Sequence, residues 1–220
     1  MLVLRIDKLR MMLLEKARDT SKLVRKRIVD KNGITRTVWV KMTAFDTIRK
    51  ELEKFKKTFL KDKIEHGLAI STEGKILSYK IGDENRIYYT KRELSKIKGA
   101  KLYIHNHPKG ASFSSSDIKF AIENKISGIE CFGIDKKNDN VAYNFSLKIN
   151  KDSEIDKGKI EEIMQDYFSL YEQIGTERQL KLSKKQIDGK GFSRLFISEV
   201  VERLSVKHKD ILTYEKHKII

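Results

Sequence analysis

A short stretch in the middle of the chain carries residue types that bind transition metals. His105 and His107 are two positions apart at the end of an apolar run, and alternate residues of a strand point to the same face. Two imidazole rings placed this way suit zinc or another borderline metal. A third ligand is needed, and Asp117 is the best candidate because Pro108 and Gly110 can turn the chain back. The sequence therefore predicts a metal site at a strand–turn–helix junction.

Ser114 and Asp117 allow two interpretations. A serine three residues before an acidic residue is typical of a helix N-cap, whose first-turn carboxylate complements the helix dipole. The same carboxylate can also ligate a metal at the end of the preceding strand. The two roles are compatible, because a cap can hold the turn that aims the ligand.

Glu65 is a candidate general base for this site. A water activated by a metal still needs a proton acceptor, which is usually a carboxylate with a shifted pKa. Glu65 lies in an apolar segment, 64–71, that we expect to be a strand. A carboxylate near the start of a core strand is costly unless it is used or exposed. Spacing alone does not decide between these two explanations.

Alternating strand and helix patterns surround these residues and predict an α/β (α+β) fold, with a central mixed β-sheet flanked by helices. Two β-branched runs joined through Asn32-Gly33 indicate an N-terminal hairpin. Helices are predicted over 1–22, 44–62 (capped by Thr43), 91–98, and from Ser114 to a stop at Gly128. Further strands are predicted over 64–71, 75–81, 85–90, 100–107, 129–134 and 141–149.

Three regions follow from this pattern. We expect residues 1–43 to form a helix and a basic hairpin, residues 44–150 to form the metal-binding domain, and residues 151–220 to form a C-terminal helical extension. The extension is predicted to contain only helices: a long one through 155–174, a polar link, and a second one over 192–204.

Composition limits the classes of partner and compartment. The net charge of +16 makes an acidic partner such as nucleic acid plausible, although scattered lysines also suit general solubility. Arg25, Arg27 and Arg36 would give the hairpin a basic stripe beside Trp39 that could contact nucleic acid. The alternative is a solvated hairpin face with the tryptophan in the core.

The single cysteine and the hydropathy pattern indicate a soluble, cytoplasmic protein. Cys131 is the only cysteine, so neither an intrachain disulfide nor a Cys-based zinc cluster can form, and its apolar neighbours favour a buried thiol. No apolar run approaches the ~18 residues that span a bilayer, so we expect no membrane partner.

The order Glu65-x-Gly67-Leu68, His105-x-His107-Pro108 and Ser114-x-x-Asp117 resembles the signature of the JAMM (MPN-type, JAB-like) zinc metalloproteases. The resemblance covers residues 44–149. It implies a cytidine-deaminase-like JAMM/MPN architecture, zinc on His105, His107 and Asp117, Glu65 as general base, and Ser114 as an oxyanion donor. The implied reaction is hydrolysis of a peptide or isopeptide bond in a peptide or protein substrate.

Two features depart from most members of that family. Nine residues separate His107 from Asp117, one fewer than usual. Asn106 and the segment 110–114 are more similar to a branch found in phage, prophage and toxin-related proteins, which would make a virion-associated location an alternative to the cytoplasm.

Other functions remain as alternatives. A non-enzymatic, phage-type structural or nucleic-acid-binding protein with a vestigial JAMM-like domain is the main one. A metallonuclease is less favoured, because HNH nucleases distribute their residues over a ββα unit, whereas His105-Asn106-His107 is contiguous. A zinc deaminase would need Pro-Cys-x-x-Cys, which this chain does not contain.

Overall fold

The computed structural model describes residues 23–29, 35–41, 44–135, 141–150, 155–189 and 195–219. These residues form an α+β fold, as predicted, with eight strands and five helices. The strands are β1 (Leu23–Val29), β2 (Thr35–Lys41), β3 (His66–Ile70), β4 (Ile76–Ile81), β5 (Leu102–Asn106), β6 (Gly128–Asp135), β7 (Val141–Ile149) and β8 (Leu212–Ile219). The helices are α1 (Ala44–Phe59), α2 (Lys91–Ile97), α3 (Ser115–Glu123), α4 (Lys157–Ser183) and α5 (Phe196–Lys207).

A six-stranded mixed sheet is the centre of the fold. Its strand order is β4-β3-β5-β6-β7-β8. Only β5 and β6 run parallel, and α3 connects them, because a parallel pair needs a crossover. The other pairs in this sheet are antiparallel. Strands β1 and β2 form a separate two-stranded antiparallel sheet, which agrees with the predicted hairpin.

The side chains of the central strands alternate between two cores. Ile104 and Phe132 belong to the smaller core, which α1 covers with residues of one helical stripe. Their neighbours Tyr103 and Cys131 belong to the larger core on the opposite face. Helices α2 to α5 supply that larger core with Ile97, Ile118, Ala121, Ile122, Ile163, Tyr167, Ile174, Val200, Val201 and Leu204. The helices thus cover both faces of the sheet.

The prediction that residues 151–220 contain only helices is wrong. Strand β8 pairs with β7 along its whole length, from Leu212 opposite Ile149 to Ile219 opposite Ala142. Helix α4 also continues through Gly175 to Ser183, where the sequence suggested a polar link. An edge strand needs only one partner and tolerates charged residues, which explains why the polar end of the chain can form one.

Two local predictions also differ from the structure. The segment 85–90 is not a strand, because the carbonyl of Arg86 accepts the N–H of Asp83 in a tight turn instead of pairing in a ladder. Helix α3 ends at Glu123 and not at Gly128, as the sequence predicted. Lys125 (φ 53°) takes the left-handed conformation after the helix, and Gly128 is the first residue of β6.

The predicted helix over 1–22, the Thr43 cap and the hairpin turn around Asn32 lie outside the described residues. Cys131 is fully buried, as expected, and burial raises the pKa of its thiol well above the ordinary value. Such a thiol is a structural side chain rather than a nucleophile.

Candidate metal centre

The end of β5 places both histidines on one side of the sheet. His105 is in the strand, and His107 follows it directly, with its N–H donating to the Phe132 carbonyl of β6 at 2.7 Å. The two rings lie on the same face, with centroids 4.6 Å apart and Nε2 atoms 2.8 Å apart. The predicted alternation along the strand is therefore observed.

Two glycines allow the short loop after His107 to lie against β6. A Cβ on Gly110 would stand 2.2 Å from the Ile134 carbonyl oxygen, and a Cβ on Gly133 would stand 2.2 Å from the His107 carbonyl oxygen. Gly110 also has a φ of 70°, which favours glycine. The loop is consequently held within backbone contact of the sheet.

Ser114 and Asp117 form a reciprocal capping box at the start of α3. The Ser114 hydroxyl accepts the Asp117 N–H at 3.2 Å, and the Asp117 carboxylate accepts the Ser114 N–H at 2.8 Å. The Ser114 hydroxyl donates its proton to Asp117 Oδ2 at 2.6 Å. Both sequence interpretations of this pair are thus compatible with the geometry, because the cap fixes the turn that presents the carboxylate.

The short loop still brings Asp117 to the two histidines. Its Oδ1 lies 3.4 Å from His105 Nε2, and its Oδ2 lies 3.5 Å from His107 Nε2. The donor atoms of all three residues lie within 4.8 Å of one another. A group of two imidazoles and one carboxylate at this spacing could hold a metal ion.

Hydrogen bonding prepares one of the two imidazoles for a metal. His107 Nδ1 donates to the Ala111 carbonyl at 2.8 Å, so in the neutral ring the lone pair is on Nε2, the atom that faces the other donors. His105 Nδ1 is buried and has no hydrogen-bond partner among the described residues. The His105 ring is instead held by packing against Tyr103, with the ring centroids 5.3 Å apart.

The charge states of the group also suit a cation. Burial lowers the pKa of His107, and the neighbouring His105 lowers it further, which favours the neutral imidazole that metals bind. Burial alone would raise the pKa of Asp117. The nearby His105 and His107 and the hydrogen bond from Ser114 outweigh burial, and they hold the pKa of Asp117 below its usual range. Asp117 is therefore ionised at neutral pH.

Glu65 lines the same cavity as these three residues. It lies one residue before β3 rather than within a strand, which corrects the sequence prediction. The cavity has a volume of about 650 Å³ and is open to solvent. Burial raises the pKa of Glu65 to about 7, against the opposing effect of His107. A carboxyl group with that pKa can accept and release a proton near neutral pH.

Sequence reasoning missed the contribution of the C-terminal elements to this cavity. Tyr167 of α4 and Ile197 of α5 line it. The Tyr214 hydroxyl of β8 hydrogen-bonds at 3.0 Å to Ser112, which lies in the loop 108–114 between His107 and α3 (the metal-site loop). It also hydrogen-bonds to Ser198 of α5 at 2.8 Å. The available signal was the run of serines before Asp117, since a buried hydroxyl needs a partner.

The hairpin does not place the three predicted arginines on one face. Backbone pairing sets Arg25 opposite Trp39 and Arg27 opposite Thr37, whereas Arg36 is opposite Ile28. Because successive positions of a strand alternate between faces, position 36 lies on the other face of the hairpin from positions 25 and 27. The predicted single stripe of arginines at these three positions is therefore wrong.

A second group of possible metal donors lies away from the cavity. Glu162 and Asp166 are one turn apart on α4, and His208 follows α5. Asp166 Oδ2 lies 2.9 Å from His208 Nε2, and its other oxygen accepts from Lys207 at 2.6 Å. Glu162 accepts from Lys159 at 2.9 Å. The carboxylates of this group already have cationic partners.

Comparison with known proteins gives no family assignment. No protein-family model matches the sequence, and neither a curated protein nor a solved structure matches it. Among the helices in the described part of the chain, none is long and apolar enough to span a membrane.

Proposed function

We propose that the protein is a zinc-dependent hydrolase of the JAMM type that cleaves a peptide or isopeptide bond. The observation that carries this proposal is the convergence of His105, His107, Asp117 and Glu65 on one open cavity. A fold with the cytidine-deaminase-like JAMM architecture is part of the proposal. The mixed sheet, with α3 joining its parallel pair next to the ligands, supports it.

The donor set fits zinc. Two imidazole nitrogens and one carboxylate are a common set for catalytic zinc, which keeps a further position open. Held by these residues, zinc would supply Lewis-acid polarisation of the scissile carbonyl and lower the pKa of a water molecule. No lysine or arginine within the described ranges forms an ion pair with Asp117, so its negative charge is available to a metal cation.

The other residues divide the remaining tasks. Glu65, with a pKa raised to about 7, would accept the proton of the attacking water and return it to the leaving amine. The Ala111 carbonyl keeps the His107 lone pair on Nε2. The Ser114 hydroxyl lines the cavity, but it donates to Asp117. For Ser114 to donate to an oxyanion, its hydroxyl must first give up the hydrogen bond to Asp117.

Metal analysis with three variants tests the proposal. Protein purified under zinc-replete conditions should carry one equivalent of zinc. His105→Ala and Asp117→Ala should lose it, whereas Glu65→Gln should keep the zinc and lose hydrolysis of lysine-linked peptides. Wild-type protein that remains free of metal in excess zinc would contradict the proposal.

A nucleic-acid-binding protein with a vestigial JAMM-like domain, of the kind found in phages, is the second candidate function. The net charge of +16 and the separate hairpin, where position 25, an arginine, is opposite position 39, a tryptophan, in the backbone register, favour it. Phosphate contacts release counterions, so nucleic-acid affinity should then fall steeply with salt. Binding that is weak and insensitive to salt would contradict this candidate.

The zinc-loaded protein should be offered DNA, RNA and lysine-linked peptides in parallel. Cleavage of the peptides alone supports the hydrolase proposed above. Cleavage of DNA or RNA that depends on His105 and Asp117 would instead identify a metallonuclease.

A further inference from the structure

Asn106 lies between the two histidines but faces the opposite side of β5. It is 1% exposed. Its side-chain oxygen accepts the N–H of His66 at 2.6 Å, and its side-chain nitrogen donates to the Ile64 carbonyl at 2.9 Å. The two hydrogen bonds therefore hold the main chain immediately before and immediately after Glu65.

The amide of Asn106 replaces a missing section of the sheet. Strands β3 and β5 pair from Ile70 opposite Leu102 to Gly67 opposite His105, where the ladder ends. Beyond that point, β5 continues toward β6, because the N–H of His107 donates to the Phe132 carbonyl. A primary amide carries one acceptor and a donor in a plane, as a peptide group does. Asn106 can therefore satisfy the backbone of β3 after the strands separate.

The backbone of Glu65 itself is held from the other edge. Its N–H donates to the Asp83 carbonyl at 2.7 Å, and its carbonyl accepts the N–H of Gly82 at 2.8 Å. Four consecutive polar groups of the main chain, from the Ile64 carbonyl to the His66 N–H, are thus hydrogen-bonded: the outer two to Asn106 and the inner two to the segment after β4. This arrangement fixes the direction in which the Glu65 side chain leaves the main chain.

The residue type at position 106 matters because few side chains can make both hydrogen bonds. An ionised carboxylate accepts but cannot donate to the Ile64 carbonyl, and an aliphatic side chain does neither. Loss of the two bonds would leave buried main-chain groups without partners. The segment would then shift to find other partners.

We infer that Asn106 is a positioning residue for Glu65, holding its main chain so that the carboxyl group faces the metal ligands across the cavity. The inference rests on the proposed function, in which Glu65 is the general base. Asn106 acts through Glu65 and faces away from the ligand cluster, so its loss should reduce turnover without reducing metal affinity.

The test uses Asn106→Leu and, because a leucine variant could fail to fold, the isosteric Asn106→Asp. With the zinc-loaded protein and a lysine-linked peptide, either substitution should lower kcat about 10–100-fold, the range expected when a catalytic group is displaced by about 1 Å. KM and zinc affinity should stay within about threefold, which is small beside the effect of a ligand contact. Asn144→Leu removes an asparagine from β7, away from the cavity, and should leave kcat unchanged.

A double-mutant cycle separates positioning from general destabilisation. If Asn106 acts through Glu65, Asn106→Leu should have no further effect on the residual rate of Glu65→Gln. An equal loss of rate in both backgrounds would overturn the inference.

A spectroscopic measurement keeps the inference independent of activity. In metal-free protein with ¹³C-labelled glutamate, at fixed pH, the side-chain carboxyl signal of Glu65 should shift in Asn106→Leu and in Asn106→Asp, but not in Asn144→Leu. Exchange of the His66 amide hydrogen should also accelerate in both Asn106 variants. An unchanged Glu65 signal would refute the positioning role. If the wild-type protein does not bind zinc or does not hydrolyse the peptide, that result refutes only the proposed function.

Discussion

Two groups of three side chains in this protein combine histidine with carboxylate, in opposite proportions and in different surroundings. His105, His107 and Asp117 line an open cavity, and Ser114 is the hydrogen-bond donor to the carboxylate. In the other group, made of Glu162, Asp166 and His208, lysines neutralise both carboxylates. We call these the cavity group and the helix group.

The difference lies in the charge around each group, since the donor atoms of both groups lie within metal-binding distance of one another. Lys207 and Lys159 occupy the place of a cation in the helix group, so a metal would have to displace them. In the cavity group, burial keeps the His107 pKa low, and the ionised Asp117 has no ion pair with a lysine or arginine among the described residues. Among the described residues, the carboxylate of the cavity group is therefore not paired with a lysine or arginine, whereas both carboxylates of the helix group are paired with lysines.

The largest predicted effect concerns zinc affinity. His107→Ala should weaken zinc binding by more than about 1,000-fold, or about 4 kcal/mol, because it removes a ligand rather than a supporting contact. The matched variant His208→Ala in the helix group should leave affinity and stoichiometry unchanged. Competition with a chromophoric chelator measures both. A second equivalent of zinc that His208→Ala removes would show that the two groups are equivalent.

The next prediction compares two glycines, Gly133 on β6 and Gly175 on α4. Gly133→Ala should destabilise the protein by about 3 kcal/mol, the upper range for overpacking, because its Cβ would overlap the His107 carbonyl. It should also weaken zinc binding, since the loop must move. Gly175→Ala on α4 places its Cβ 3.9 Å from Phe196, an ordinary contact, and should stabilise the helix by about 0.5–1 kcal/mol.

Urea unfolding of the metal-free proteins measures both glycine effects, and chelator competition measures the affinity. Equal stability changes in Gly133→Ala and Gly175→Ala would contradict the tight packing of the metal-site loop against β6.

The cavity group could be predicted from sequence because its signals are local. His105 and His107 share a strand face by alternation, and the capping pattern of Ser114 and Asp117 fixes the start of α3. The supporting contacts could not be predicted, because they join distant parts of the chain. Asn106 reaches residues 40 and 42 positions earlier, and Tyr214 reaches Ser112 across 102 positions.

The prediction of the fold failed where the local pattern was weak or ambiguous. Strand β8 has apolar residues at only two alternate positions of its buried face, Leu212 and Tyr214, so its pairing with β7 is a tertiary effect. The segment 85–90 has strong β-propensity but lies at the cavity, where Ile87 and Tyr89 contribute to the wall instead of a ladder. Propensity alone does not indicate whether a strand partner is present.

A smaller effect is expected from the ion pairs of the helix group. Asp166→Asn should lower the free energy of unfolding at pH 7 by about 1–2 kcal/mol, since it weakens hydrogen bonds to Lys207 and to the buried His208. The Lys207 hydrogen bond holds the Asp166 pKa below its usual value of 3.8, with His208 acting in the same direction. This stabilisation is present above that value and is lost as the pH falls through the lower folded-state pKa.

Urea unfolding at pH 7 and at pH 3 tests the sign. The difference between wild type and Asp166→Asn should shrink in the acidic sample. A difference that grows on acidification would mean that the carboxyl group is stabilised in its protonated form.

The smallest effect should come from Glu162, the most exposed member of the helix group. Glu162→Gln removes an ion pair with Lys159 at the protein surface, and exposed pairs contribute less than about 0.5 kcal/mol. We expect stability within that limit and zinc affinity equal to wild type, because the cavity group is intact. Raising the salt concentration should reduce even this difference, since surface charges are screened. A measurable loss of bound zinc in Glu162→Gln would instead mean that the lysines of the helix group do not exclude a metal.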